Sequence, residues 1–150
     1  MAYLEQKLEQ LIVEALSDIT DDRVYGYIVP TEQLRDRTCV LVKMGQRKRR
    51  STNNPIVDIS CKITIMADKK DGKDTDLLAA MTDPVINCLE DWEGNIDIPC
   101  DLLTTDTFRV DGFTGEEGEE PSFDSANQLW SSVLNYTFSG VILTPVDTEI

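Results

Sequence analysis

The chain has 150 residues, room for one domain that buries a core without disulfide or metal staples. It is 41% hydrophobic, and 14 Lys+Arg stand against 28 Asp+Glu, a net charge of −14 that opposes non-specific binding of a phosphate backbone by the whole surface. It has no histidine, which removes the commonest general base and metal ligand together.

The longest apolar run, residues 77–81, is far short of the roughly 18 residues of a membrane-crossing helix. The N-terminus shows no basic flank ahead of an apolar block, which argues against a secretory signal. Leu4, Leu8, Leu11, Ile12, Ala15, Leu16 and Ile19 recur at helical spacing, with Glu5, Gln6, Glu9, Gln10 and Glu14 opposite. An amphipathic helix over residues 2–18 follows, with a turn at 18–22. Residues 23–29 and 38–44 are β-rich, the second around Cys39-Val-Leu-Val. A polar loop over 45–55 contains Arg47, Lys48, Arg49 and Arg50.

The clearest strand is residues 56–66, where Val57, Ile59, Cys61, Ile63 and Ile65 alternate with Asp58, Ser60, Lys62 and Thr64. It pairs with 38–44 as a long-looped hairpin. After a charged turn at 68–76, Leu77, Leu78, Met81, Val85, Leu89 and Trp92 share a helical face. Pro84 falls inside this pattern, so the segment is two helices or one kinked helix, ended by Gly94 and Asn95. Residues 96–103 and 105–110 read as short strands joined by a tight turn. Residues 112–122, with three glycines, Pro121 and four glutamates, read as a flexible acidic loop. In the final strand, 127–143, Trp130, Leu134, Tyr136, Phe138 and Ile142 lie on one side, opposite Ser131, Asn135, Thr137 and Ser139. The tail 144–150 is extended. The sum is a single α+β domain over 1–150: an antiparallel or mixed β-sheet, two main helices packed on one face, and an extended β-hairpin. Sequential strands pair antiparallel.

Among candidate sites, Arg47, Lys48, Arg49 and Arg50 stand out in an acidic chain. They are read as partner-binding, with a protein favoured over DNA, against the plainer reading of a solvated hairpin tip. Asp68, Asp71, Asp74 and Asp76 do not match a calcium loop and are assigned as a solvated turn. Glu116, Glu117, Glu119 and Glu120 sit in a segment too glycine-rich to hold catalytic carboxylates at a set separation. Four cysteines, at 39, 61, 88 and 100, lack C-x-x-C spacing; Cys39 and Cys61 in apolar strand positions and Cys88 beside Leu89 are read as small buried hydrophobes. Trp92 and Trp130 are read as core anchors. No catalytic, cofactor or metal motif emerges. The long strands exceed what a small core needs, and extended hairpins with exposed edges dock subunits.

The chain resembles the tail terminator proteins of long-tailed bacteriophages. The resemblance lies in the short N-terminal helix over 3–16 and the hairpin through Val40-Leu-Val-Lys-Met and Pro55-Ile-Val-Asp-Ile-Ser-Cys-Lys-Ile-Thr-Ile. It continues in the helix Leu77-Leu-Ala-Ala-Met…Val85-Ile-Asn-Cys-Leu and the closing strand Ser125-Ala-Asn-Gln-Leu-Trp-Ser-Ser-Val-Leu-Asn-Tyr-Thr-Phe-Ser-Gly. It implies a structural virion protein without enzymatic activity or cofactor. Such a protein forms a homohexameric ring that caps the tail tube, stops its polymerisation and offers the surface for head attachment through a connector or neck protein. DNA passes through the ring without specific binding. The protein would reside at the head-proximal end of the tail, and in the host cytoplasm before assembly. No residue role transfers individually, and the acidic loop 112–121 departs from the family pattern. A neck or head-completion protein is the alternative within the same class. A monomeric acidic module mimicking nucleic acid is the alternative outside it, and the basic cluster counts against that.

Overall fold

A computed structural model describes residues 3–20, 23–26, 38–51, 55–68, 76–90, 97–100, 106–126 and 128–143. In chain order the elements are α1 (Tyr3–Ser17), β1 (Val24–Gly26), β2 (Cys39–Arg49), β3 (Ile56–Asp68), α2 (Asp76–Glu90), β4 (Asp97–Pro99), β5 (Thr107–Asp124) and β6 (Leu129–Leu143). One six-stranded sheet holds them in the order β1-β2-β3-β6-β5-β4. The β1–β2 pair is parallel and all the others are antiparallel, so the fold is α+β with a mixed sheet. Sequential antiparallel pairing holds for β2–β3, β4–β5 and β5–β6. It fails at β1, where a parallel partner requires a crossover rather than a tight turn, and at β3, whose second neighbour is β6.

Alternation sorts the sheet into two faces. Val57, Ile59, Cys61, Ile63, Ile65 and Ala67 of β3 are buried. They align with Val40, Val42 and Met44 of β2 and with Leu134, Tyr136 and Phe138 of β6. Both helices pack on this face. In α1, Leu4, Leu8, Ile12 and Leu16 are fully buried, one ridge at four-residue spacing, each stabilising by roughly 1.5–3 kcal/mol relative to exposure. The helix touches β1 and β2 at one margin of the sheet and β4 at the other, so the sheet curls around it. Leu78, Val85 and Leu89 anchor α2 over β3 and β6. The core is thus the concave side of the sheet with α1 in the hollow.

Three expectations change, and one that was left open is decided. The segment 112–122 is not a loop: it lies within the 18-residue β5 and pairs with β6 from Gly112↔Ser139 to Ser122↔Ser131. Register shifts at three places absorb its glycines and proline. Gly115 faces the Tyr136 ring, where a Cβ would sit only 3.2 Å from the ring edge, and Phe113 stacks on Tyr136 at 4.9 Å. Likewise 45–55 is not wholly a loop, because β2 runs through Arg49, past a shift between Met44 and Arg47. The second helix is single and continuous through Pro84, which is exposed. The paired short strands expected at 96–103 and 105–110 reduce to β4 against residues 107–109, with the Cys100 N–H donating to the Asp106 carbonyl at 3.0 Å. Trp92, Asp71, Asp74 and the tail 144–150 lie outside the described residues.

Candidate docking surfaces

The four basic residues reach the surface in different ways. β2 alternates like any strand, so Arg47 stands opposite Ile59 on the helix side and Lys48 opposite Asp58 on the open side. Arg47 donates from Nε to Glu5 Oε1 at 2.9 Å and from Nη2 to Glu5 Oε2 at 3.2 Å. The Glu5 side chain is 5% exposed and that of Arg47 34%. A carboxylate taken out of water needs such a partner, so Arg47 ties α1 to the sheet. Arg50 forks onto Asp58, with Nε to Oδ2 at 2.9 Å and Nη2 to Oδ1 at 3.2 Å. Ser139 on β6 donates to the same Oδ1 at 2.7 Å. The Arg50 fork first and the Ser139 hydrogen bond second hold the Asp58 carboxyl below its ordinary range, against the opposing effect of desolvation. The Arg50 guanidinium is pushed further up by the same pair. Lys48 and Arg49 are exposed. Two members of the cluster therefore hold the fold together at its edge, and two present charge outward.

The open face of the sheet carries a polar hollow of about 390 Å³, lined by Gln46, Lys48, Arg50, Asp58, Thr137 and Ser139 among others. Between α2 and the sheet lies a second cleft of about 460 Å³, bordered by Ile86, Leu89, Phe113, Leu134 and Tyr136. Its depth raises the Tyr136 phenol above its ordinary value, chiefly by desolvation and then by the charge of Glu90. At one end of the sheet the β5–β6 hairpin closes level with the end of β3, Leu129 aligning with both Asp124 and Asp68. Residues 120–126 are exposed throughout, and Phe123, 37% exposed, packs on Trp130 with ring centres 4.6 Å apart. The Trp130 indole N–H has no hydrogen-bond partner among the described residues.

Cys39, Cys61 and Cys100 are buried and Cys88 half-buried, all as free thiols. Burial first, and the charge of Glu9 second, push the Cys61 thiol up to about 12, so it is a packing group rather than a nucleophile. Cys88 donates from Sγ to the Ala15 carbonyl at 3.4 Å, joining the two helices. Among the described residues no group of three or more Cys, Asp or Glu is placed to hold a metal, and no helix is long and apolar enough to cross a membrane.

Sequence reasoning found the basic cluster and missed its partners. Asp58 and Ser139 were legible as wet-face residues of alternating strands, but nothing local pairs them. Glu5 looked like one more glutamate of a helix's polar face. No protein-family model and no curated protein matches the chain.

Proposed function

We propose that this chain is a structural docking subunit of the tail terminator type: a ring-forming virion component that caps a tail tube, stops its growth and presents the surface joined to the head. The supporting observation is the reach of its strands. β5 and β6 run 18 and 15 residues where about 5–6 is usual, and residues 120–126 at the end of β5 are exposed. A core this size does not need that length, whereas contact between subunits does. The described surface offers ion pairs, an aromatic pair and polar hollows, with no grouping of nucleophile, base and oxyanion donors. Virion location, tail-tube and neck partners, and passage of DNA through the ring belong to the same proposal, which rests on the family resemblance. An acidic ring suits that last role, because a like-charged lumen does not hold DNA.

Purified chain added to polymerising tail-tube protein tests it. Capped tubes of limited length, with a ring at one end, are the expected result. Tubes whose length distribution is unchanged at excess chain would overturn the assignment.

A further inference from the structure

The charge of this chain is divided along its length. From residue 74 onward it has 17 Asp and Glu and a single basic residue, Arg109. Arg109 sits between the buried Phe108 and the buried Val110, so strand alternation puts it on the open face of the sheet. The cleft of about 460 Å³ between α2 and the sheet lies on the opposite face. Its walls are apolar: Ile86 and Leu89 of α2 on one side, Phe113 and Leu134 of the sheet on the other. It stays open because β5 places only Gly115 opposite Tyr136, where a Cβ would come 3.2 Å from the ring. Phe113 stacks on Tyr136 and holds that ring in place.

Glu90 stands at the rim, exposed, as the last residue of α2. The free carbonyls of a helix C-terminus carry partial negative charge, which favours a cation there and disfavours an acid. The last turn of α2 has no basic residue, and among the described residues Glu90 has no ion-pair partner. Its charge reaches into the cleft, where it adds to desolvation in raising the Tyr136 phenol. The rim is thus negative by carboxylate and by helix end together, with no described cation to neutralise it.

We propose that this cleft receives a basic side chain, Arg or Lys, of a partner protein, with the aliphatic stem against the apolar walls and the charged head at Glu90 and the end of α2. Long basic side chains cover apolar surface with their stems and keep their heads at its polar margin. The cleft volume lies within the roughly 300–1,000 Å³ of ligand pockets. A purely apolar segment seated here would cover Glu90 without pairing it. An acidic one would meet the carboxylate and the helix end with like charge. The inference goes beyond tube capping and does not depend on it, since it names what the cleft binds, whatever assembly the chain joins.

The probe is acetyl-Gly-Arg-Gly-amide, with the citrulline peptide, similar in shape and uncharged, as its control. Binding to the full chain at low salt is read by NMR from the methyl signals of Ile86, Leu89 and Leu134 and from the Tyr136 ring. The arginine peptide should shift these signals together and bind about tenfold more tightly than the citrulline peptide, a difference of about 1.4 kcal/mol. Glu90→Gln should bring the arginine peptide close to the citrulline value. Ile86→Trp, at a half-buried helix position, should fill the cleft and abolish binding of both, with circular dichroism confirming the fold. Glu120→Gln removes an exposed acid of β5 outside the cleft and should leave the affinity unchanged, which separates the site from general attraction to an acidic chain. Cleft signals that do not move, or arginine and citrulline peptides that bind alike, would overturn the proposal. So would a loss with Glu120→Gln equal to that with Glu90→Gln, or full binding by Ile86→Trp.

Discussion

Arg47 shows how one side chain can look like a binding residue and serve as a clamp. Its bidentate contact holds Glu5, which is otherwise out of water. Arg47→Ala should cost about 1–3 kcal/mol in urea denaturation, chiefly because the Glu5 carboxylate loses its partner. Glu5→Leu combined with Arg47→Met should recover most of that loss, since two apolar groups leave no buried charge. A double variant as unstable as Arg47→Ala alone would show that the unpaired Glu5 carboxylate does not set the cost. Cys61 gives a pH dependence whose sign is fixed. Its folded value of about 12 lies above the ordinary 9.0, so between these values the folded state binds the extra proton. Stability is fully present below pH 9 and falls as pH rises toward 12. The decline should flatten in Cys61→Ala, and in the native protein the Cys61 thiol should resist a thiol reagent at pH 8 until the chain is unfolded.

Element by element, what was legible depended on whether the deciding interaction is local. β3 announces itself because its own period places six apolar residues on one face. The ridge of α1 does the same at helical spacing, and Cys39 and Cys61 read as buried because their neighbours are apolar. β5 was hidden because its glycines, proline and glutamates are turn formers by local preference. What makes it a strand is β6, distant from most of it in sequence, whose Tyr136 and Phe138 receive Phe113 and pass over Gly115. The parallel placement of β1 was hidden for a similar reason, since no short-range pattern distinguishes a crossover from a hairpin. The two basic residues that hold the fold could not be separated from the two that face outward, because their partners come from α1 and from the facing strand β3. The same β5–β6 ladder sets a prediction. A Cβ at Gly140 would run into the Arg109 carbonyl and the Phe108 ring, backbone and core with no room to yield. Gly140→Ala should therefore destabilise by more than about 2 kcal/mol and expose the β5 amides to hydrogen exchange before those of β2–β3. A stable variant with unchanged exchange would contradict this packing.

The whole molecule is a curled sheet wrapped around one helix, with a second helix alongside and three long strands, β3, β6 and β5, paired along their length. Its apolar groups are spent on holding α1 in the hollow. Its charges are distributed unevenly, basic at the end of β2 and acidic along β5, although the chain as a whole is strongly acidic. The most direct test is the solution mass of the purified chain over a range of concentrations, with negative-stain images of the same sample. A closed ring of six chains of 16.9 kDa has a mass of about 101 kDa, and rings of that mass are the expected result. A particle that remains at 16.9 kDa at every concentration, with no rings in the images, would contradict the self-assembling reading.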